Sequence, residues 1–228
     1  MLAVMMWMGC TETTEPGTTP DDPDRIAMRD AILAEAERAR GACDGDDNDP
    51  AVRASLSAAI DELVAATEPE TEAEKLSRVV GVWDQVWSDT PFTDFEGICF
   101  VGDRIFQVVF EDQFYYNLAQ VEAFGMSSRS FVRGEFDVLP DVLDVTFTGG
   151  FVASGEIGDT AEALRAEAVA AESGEIEQLP VPGFIEAGTP GRLRNYYVDD
   201  VLRVITDGSS ATESDGIFIT RRVPEPAP

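Results

Sequence analysis

The 228-residue chain has no histidine and a single lysine, Lys75. Without histidine, Ser-His-Asp and Cys-His catalysis, imidazole metal sites and an imidazole pH switch are all excluded. Basic residues number 16 against 44 acidic ones, a formal net charge of −28. That surplus repels phosphate backbones and anionic headgroups, so nucleic-acid binding through a basic face is excluded too. Long apolar runs are also missing. The longest at the amino terminus, Leu2 to Gly9, is eight residues, whereas a bilayer span needs about 20. Carboxylates are abundant, but pairs such as Asp199-Asp200 alternate across a strand and do not face one reacting centre. The expectation is a protein that is not an enzyme and carries no cofactor.

What is present is core material: 44% of residues are apolar and 9% aromatic, enough for one domain with appendages. Arginine in place of lysine, many alanines and many acids fit a GC-rich genome and a saline habitat equally. The acidic surface reads first as a solvated coat. Leu2 to Gly9, closing on Cys10 before a polar Thr/Glu/Pro/Asp stretch, resembles a bacterial lipoprotein signal whose cysteine carries lipid. That resemblance implies a lipid anchor at Cys10 and a cell-envelope location. Thr11 is not the Asp that resembles an inner-membrane retention signal, which points to the outer membrane, on its periplasmic or surface face. Residues 11–24 read as a flexible linker. Cys43 and Cys99 then remain, either as a disulfide or as two buried thiols.

From Asp24 the spacing of Ile26, Ile32, Leu33 and Ala36 predicts a helix ending near Gly41. Asp44, Asp46 and Asn48 have the spacing of a calcium loop. Asp49 stands where that loop needs Gly, and Ser55 where it needs Glu, so no metal is expected. Asp49 and Pro50 start a second helix with a stripe of Val52, Leu56, Ile60 and Leu63. Thr71 and Glu74 form a capping-box pattern before a third. After Gly81 the apolar period shortens to two, with runs at 104–111, 114–124, 128–138, 142–155, 192–206 and 217–222. An Ala/Glu-rich stretch, 160–172, interrupts them as a helical insert. Repeated strands without a βα rhythm argue for an antiparallel barrel or sandwich.

The order Gly81-Val82-Trp83 with Trp87, Ile105-Phe106-Gln107-Val108-Val109 and Phe114-Tyr115-Tyr116-Asn117 is followed by two late segments. These are Tyr197-Val198-Asp199-Asp200-Val201-Leu202-Arg203-Val204 and Gly216-Ile217-Phe218-Ile219. From about Ile26 to Arg222 the chain resembles the PAP/fibrillin family, the plastid lipid-associated proteins. The resemblance implies a mainly β (α+β) fold: an antiparallel lipocalin-like β-barrel preceded by two or three N-terminal helices, with one helical insert before the last strands. The parts expected are a signal (1–10), a linker (11–24), helices packed on the barrel (25–80), the barrel (81–222) and a disordered tail (223–228).

A small barrel holds either side chains or one small ligand. Strand alternation places Trp83, Gln85 and Trp87 on one face, and Tyr197, Asp199, Val201, Arg203 and Ile205 on another. Trp83, Trp87, Gln107, Tyr197, Asp199 and Arg203 are therefore the candidate ligand-binding residues, aromatic walls with a few polar groups. Each has a plainer role. Trp83 can be a packing plug, Gln107 can close a hydrogen-bond network, and Asp199 and Arg203 most simply pair with each other. Two functions follow: a membrane-anchored protein that sequesters a lipid, isoprenoid or pigment-like molecule, or a filled barrel serving as a structural or protein-interaction module.

Overall fold

The computed structural model describes residues 22–40, 49–89, 98–123, 126–179 and 185–225. Three helices lead: α1 (Pro23–Arg38), α2 (Pro50–Ala65) and α3 (Glu72–Val79). Their starts follow the capping chemistry of the sequence. Asp49 accepts from the Ala51 amide, and Thr71 and Glu74 form a reciprocal capping box. The first helix begins at Pro23, capped by Asp22, within the stretch read as linker. Strands β1 (Gly81–Ser88), β2 (Ile98–Val109), β3 (Phe114–Ala123), β4 (Met126–Val138) and β5 (Leu143–Ser154) follow. Helix α4 (Ala161–Glu172) precedes β6 (Thr189–Val198), β7 (Leu202–Thr206) and β8 (Ile217–Arg222).

Every strand pairs antiparallel with its sequence neighbour, and β1 pairs with β8, so eight strands close into a barrel with no free edge. The predicted run 192–206 is two strands rather than one. Asp199 accepts hydrogen bonds from the amides of Val201 and Leu202, both at 2.7 Å, and turns the chain between β6 and β7.

Helices cover the outside of the barrel on two sides. Ile32, Leu33 and Ala36 of α1 and Leu56, Ile60 and Leu63 of α2 pack with Trp87, Tyr197, Leu202, Val204, Ile217 and Ile219. Leu164, Ala168 and Ala171 of α4 pack on Val82, Phe106, Val108, Tyr116 and Leu118. The ion pairs Arg129–Glu167 (3.1 Å) and Arg133–Glu172 (2.7 Å) fasten α4 to β4. Because β7 has a helix layer on one side and the barrel interior on the other, all five of its residues are buried. Val223, the first residue of the segment read as tail, is buried, and its amide donates to the Val82 carbonyl at 2.9 Å. No helix among the described residues is long and apolar enough to cross a membrane.

The β7–β8 connection is held by Asp207. Burial alone would raise its pKa. Hydrogen bonds from the Ser214 hydroxyl and the Gly216 and Asp215 amides outweigh that, and the carboxyl titrates below its ordinary 3.8. A depressed folded-state pKa contributes stability that is complete above 3.8 and is lost as pH falls through the folded value. The thermal midpoint of the native chain should therefore exceed that of Asp207→Asn by a constant margin above the ordinary 3.8 and by a shrinking one as pH falls below it. A margin that does not vary with pH over that range would show that the carboxylate charge is not what holds the turn.

Candidate functional site

The register lines up one layer of inward-facing residues. Arg222 pairs with Trp83, Trp83 with Gln107, Gln107 with Asn117 and Asn117 with Val132. Thr220 on β8 pairs with Gln85 on one side and Arg203 on the other. Arg203 Nη1 donates to Gln107 Oε1. In the ring β7 is separated from β2 by β8 and β1, so this hydrogen bond crosses the lumen. Gln107 Nε2 donates to Asn117 Oδ1 at 2.9 Å, and Arg203 Nε to Asn195 Oδ1 at 2.7 Å. A belt of amides around one guanidinium thus spans the interior.

The belt continues into the helix that closes the barrel's base. Glu72, at the start of α3, is 1% exposed. Its carboxylate accepts from Asn195 Nδ2 at 2.5 Å and from the Asn195 amide at 3.1 Å. Lys75, one helical turn on, donates to the Asn195 carbonyl at 2.6 Å and lies 3.5 Å from Glu72 Oε1. Beneath the belt, Trp83, Val109, Tyr115, Phe136, Leu143, Val145 and Val198 form an apolar base closed by Leu76 and Val79 of α3. The Trp83 indole N–H donates to the Val79 carbonyl at 2.8 Å, and the Arg222 guanidinium lies 4.2 Å from its ring centroid. Gly134 stands opposite Tyr115, where a Cβ would fall 2.5 Å from the phenol ring, so only glycine leaves that ring its place.

Burial pushes the Arg203 guanidinium down to about 10, with the Glu72 charge opposing. Burial pushes the Tyr115 phenol up, with the Arg203 charge opposing. Neither ionisation changes near neutral pH, so the belt carries a fixed positive charge. The belt is not fully buried: Gln85, Gln107 and Asn117, on the inward face, are only half-buried. Outside the base, a cleft of about 230 Å³ lies between the α2–α3 connection and β6, bounded by Thr67, Glu70, Lys75, Asp141, Arg194 and Tyr196. Among the described residues, no group of three or more cysteines and carboxylates is placed to hold a metal ion.

Of the six residues expected at a ligand site, the structure brings Trp83, Gln107 and Arg203 together inside. Trp87, Tyr197 and Asp199 lie elsewhere. A β-bulge between Gln85 and Trp87 reverses the alternation, and the Trp87 ring enters the layer beneath α1 and α2. A second irregularity between Asn195 and Tyr197 does the same on β6. Asp199, at the turn, accepts from the Tyr197 hydroxyl at 2.9 Å and faces Arg29 at 3.5 Å. The expected Asp199–Arg203 pair is thus replaced by two unrelated sets of contacts. Cys10 and Cys43, with their expected lipid and disulfide, and the Cys99 side chain lie outside the described residues, as do Asp44, Asp46 and Asn48.

The sequence reading missed Glu72, Lys75, Tyr115, Asn117 and Asn195. A signal existed for two of them. Asn117 and Asn195 are polar residues whose alternate neighbours on the same strand face, Tyr115 and Ala119 for one and Leu193 for the other, are apolar, and a buried amide there needs a partner. Glu72 carries no such signal, standing between the capping residues Thr71 and Glu74 as an ordinary first-turn acid. No family model, no curated protein and no solved structure matches the chain.

Proposed function

We propose that the protein binds one small apolar molecule with a polar end inside its barrel, without catalysing a reaction on it. The observation that carries this reading is the amide belt of Gln107, Asn117 and Asn195 around Arg203. It crosses the lumen, includes the half-buried Gln107 and Asn117, and rests on an aromatic base that α3 closes from the outside. An interior filled only for stability gains nothing from a buried guanidinium, since apolar residues of similar volume do as well or better. Burying about 300 Å² of ligand apolar surface would supply roughly 7 kcal/mol before entropic losses.

The lipocalin-like character of the barrel and the resemblance to the PAP/fibrillin family belong to the same proposal. A lipid on Cys10 would tether the barrel at the cell envelope and hold it near a source of such ligands. The alternative, a structural or interaction module, requires an apolar docking surface. The exposed large apolar residues among those described are Met126 at the start of β4, Leu139 in the β4–β5 connection and Val169 on α4, and these scattered positions do not supply one.

Native mass spectrometry with organic extraction, on the full chain purified from its own host, tests the reading. A near-stoichiometric apolar small molecule is expected to co-purify. A clean apo mass, with no uptake from a host lipid extract, would overturn it in favour of the interaction module.

A further inference from the structure

Arg203 uses Nε for Asn195 and Nη1 for Gln107; Nη2 donates to no group among the described residues. Both of its acceptors are neutral amides, and it makes no ion pair there. The nearby carboxylate, Glu72, is taken by Asn195 and Lys75. Arg203 is 3% exposed, so a full positive charge sits in the interior of a chain with a net charge of −28 and has no direct counter-ion among the described residues. Tyr115 belongs to the same base. It shares that cluster with Trp83, whose ring centroid is 5.9 Å from the Arg203 guanidinium carbon. The Tyr115 hydroxyl is fully buried and has no hydrogen-bond partner among the described residues. An unpaired buried donor and a buried cation without a direct counter-ion in one barrel interior are a costly arrangement for a barrel that binds nothing.

Resting on the lumen reading above, we infer that the ligand is a carboxylic acid on an apolar tail, its carboxylate held between Arg203 Nη2 and the Tyr115 hydroxyl. Two donors suit the two oxygens of a monoanionic carboxylate, and the single uncompensated charge matches its single negative charge. A phosphate dianion would leave charge and acceptors unmatched. The tail has an apolar path beyond the belt. Alternation and register put Ile105, Ala119, Val132, Val152, Ile205 and Phe218 on the inner face. The acidic exterior repels such a ligand over long range, so recognition depends on these short-range contacts.

Isothermal titration calorimetry on the full chain tests this with decanoate, decan-1-ol and acetate, at about 0.15 M salt to screen the surface charge. Decanoate should bind at least about tenfold more tightly than decan-1-ol, the usual size of a charge-assisted hydrogen bond. Acetate, which has the head without the tail, should bind far more weakly than decanoate. Arg203→Met should abolish the preference for the acid. Because that variant removes a buried charge and can fail to fold, Tyr115→Phe serves as the second probe. It keeps the ring and should cost decanoate about five- to tenfold while leaving decan-1-ol unchanged. Equal binding of acid and alcohol, or decanoate binding that Tyr115→Phe leaves untouched, would overturn the inference and leave lumen binding intact. Acetate as tight as decanoate would overturn the apolar tail. Binding of none of the three would remove the lumen reading itself.

Discussion

Replacing Glu72 with alanine is expected to destabilise the protein by about 3–5 kcal/mol, the usual cost of removing one partner from a buried ion pair. The carboxylate is 1% exposed and serves the Asn195 side chain, the Asn195 amide and Lys75 at once. Its loss leaves a largely buried ammonium and two buried donors short of acceptors. It also frees the Asn195 side chain, whose oxygen holds Arg203 Nε. The effect should therefore reach the lumen through Asn195. Removing both charges is different in kind. Glu72→Gln with Lys75→Met keeps shape and amide hydrogen bonding while deleting the pair, and should recover most of the stability lost by Glu72→Ala. Urea unfolding followed by far-ultraviolet circular dichroism measures all three. If Glu72→Ala costs less than about 1 kcal/mol, α3 does not close the base as a buried element.

Trp83→Ala should cost a comparable amount, about 3–5 kcal/mol, as for other large aromatics emptied from a core. Trp83 is completely buried in one core cluster with Val109, Tyr115, Val145 and Val198, which come from β2, β3, β5 and β6. It also satisfies the Val79 carbonyl at the end of α3 and stacks under Arg222. Trp83→Phe separates these contributions. The ring volume largely remains while the indole N–H is lost, so the expected cost is about 1–2 kcal/mol. Unchanged denaturant slopes would show that both variants act on the same two-state transition. A Trp83→Ala protein as stable as the native one would mean that the base is not packed on this ring. Of the two roles open to Trp83 in the sequence, plug and ligand contact, the observed packing gives it at least the first.

Much of the architecture was legible because local rules were obeyed. Asp49-Pro50 and Thr71 with Glu74 mark helix starts by chemistry acting over three or four residues, and the structure uses both. The insert read at 160–172 is α4, capped by Thr160. Strand alternation located the runs that became the barrel wall. The errors fell where one residue changes the phase. The bulge after Gln85 carries Trp87 to the outside. The irregularity before Tyr197 and the Asp199 turn remove two further candidates from the interior. A bulge leaves no mark in composition. It is fixed by the hydrogen-bond ladder of a partner strand that lies, for β1 and β8, more than a hundred residues away.

The sequence by itself determined the kinds of element, their order and the exclusion of histidine chemistry and basic-face binding, because these rest on residue identity and short-range spacing. Only the tertiary structure decided which polar residues meet. Glu72, Asn195, Arg203, Gln107 and Asn117 come from one helix and four strands, and ring closure alone brings β7 within reach of β2. Closure also gives the strand wall two buried sides, so inward and outward positions look equally apolar in the sequence. The lumen's chemistry became readable only once the register had told those sides apart.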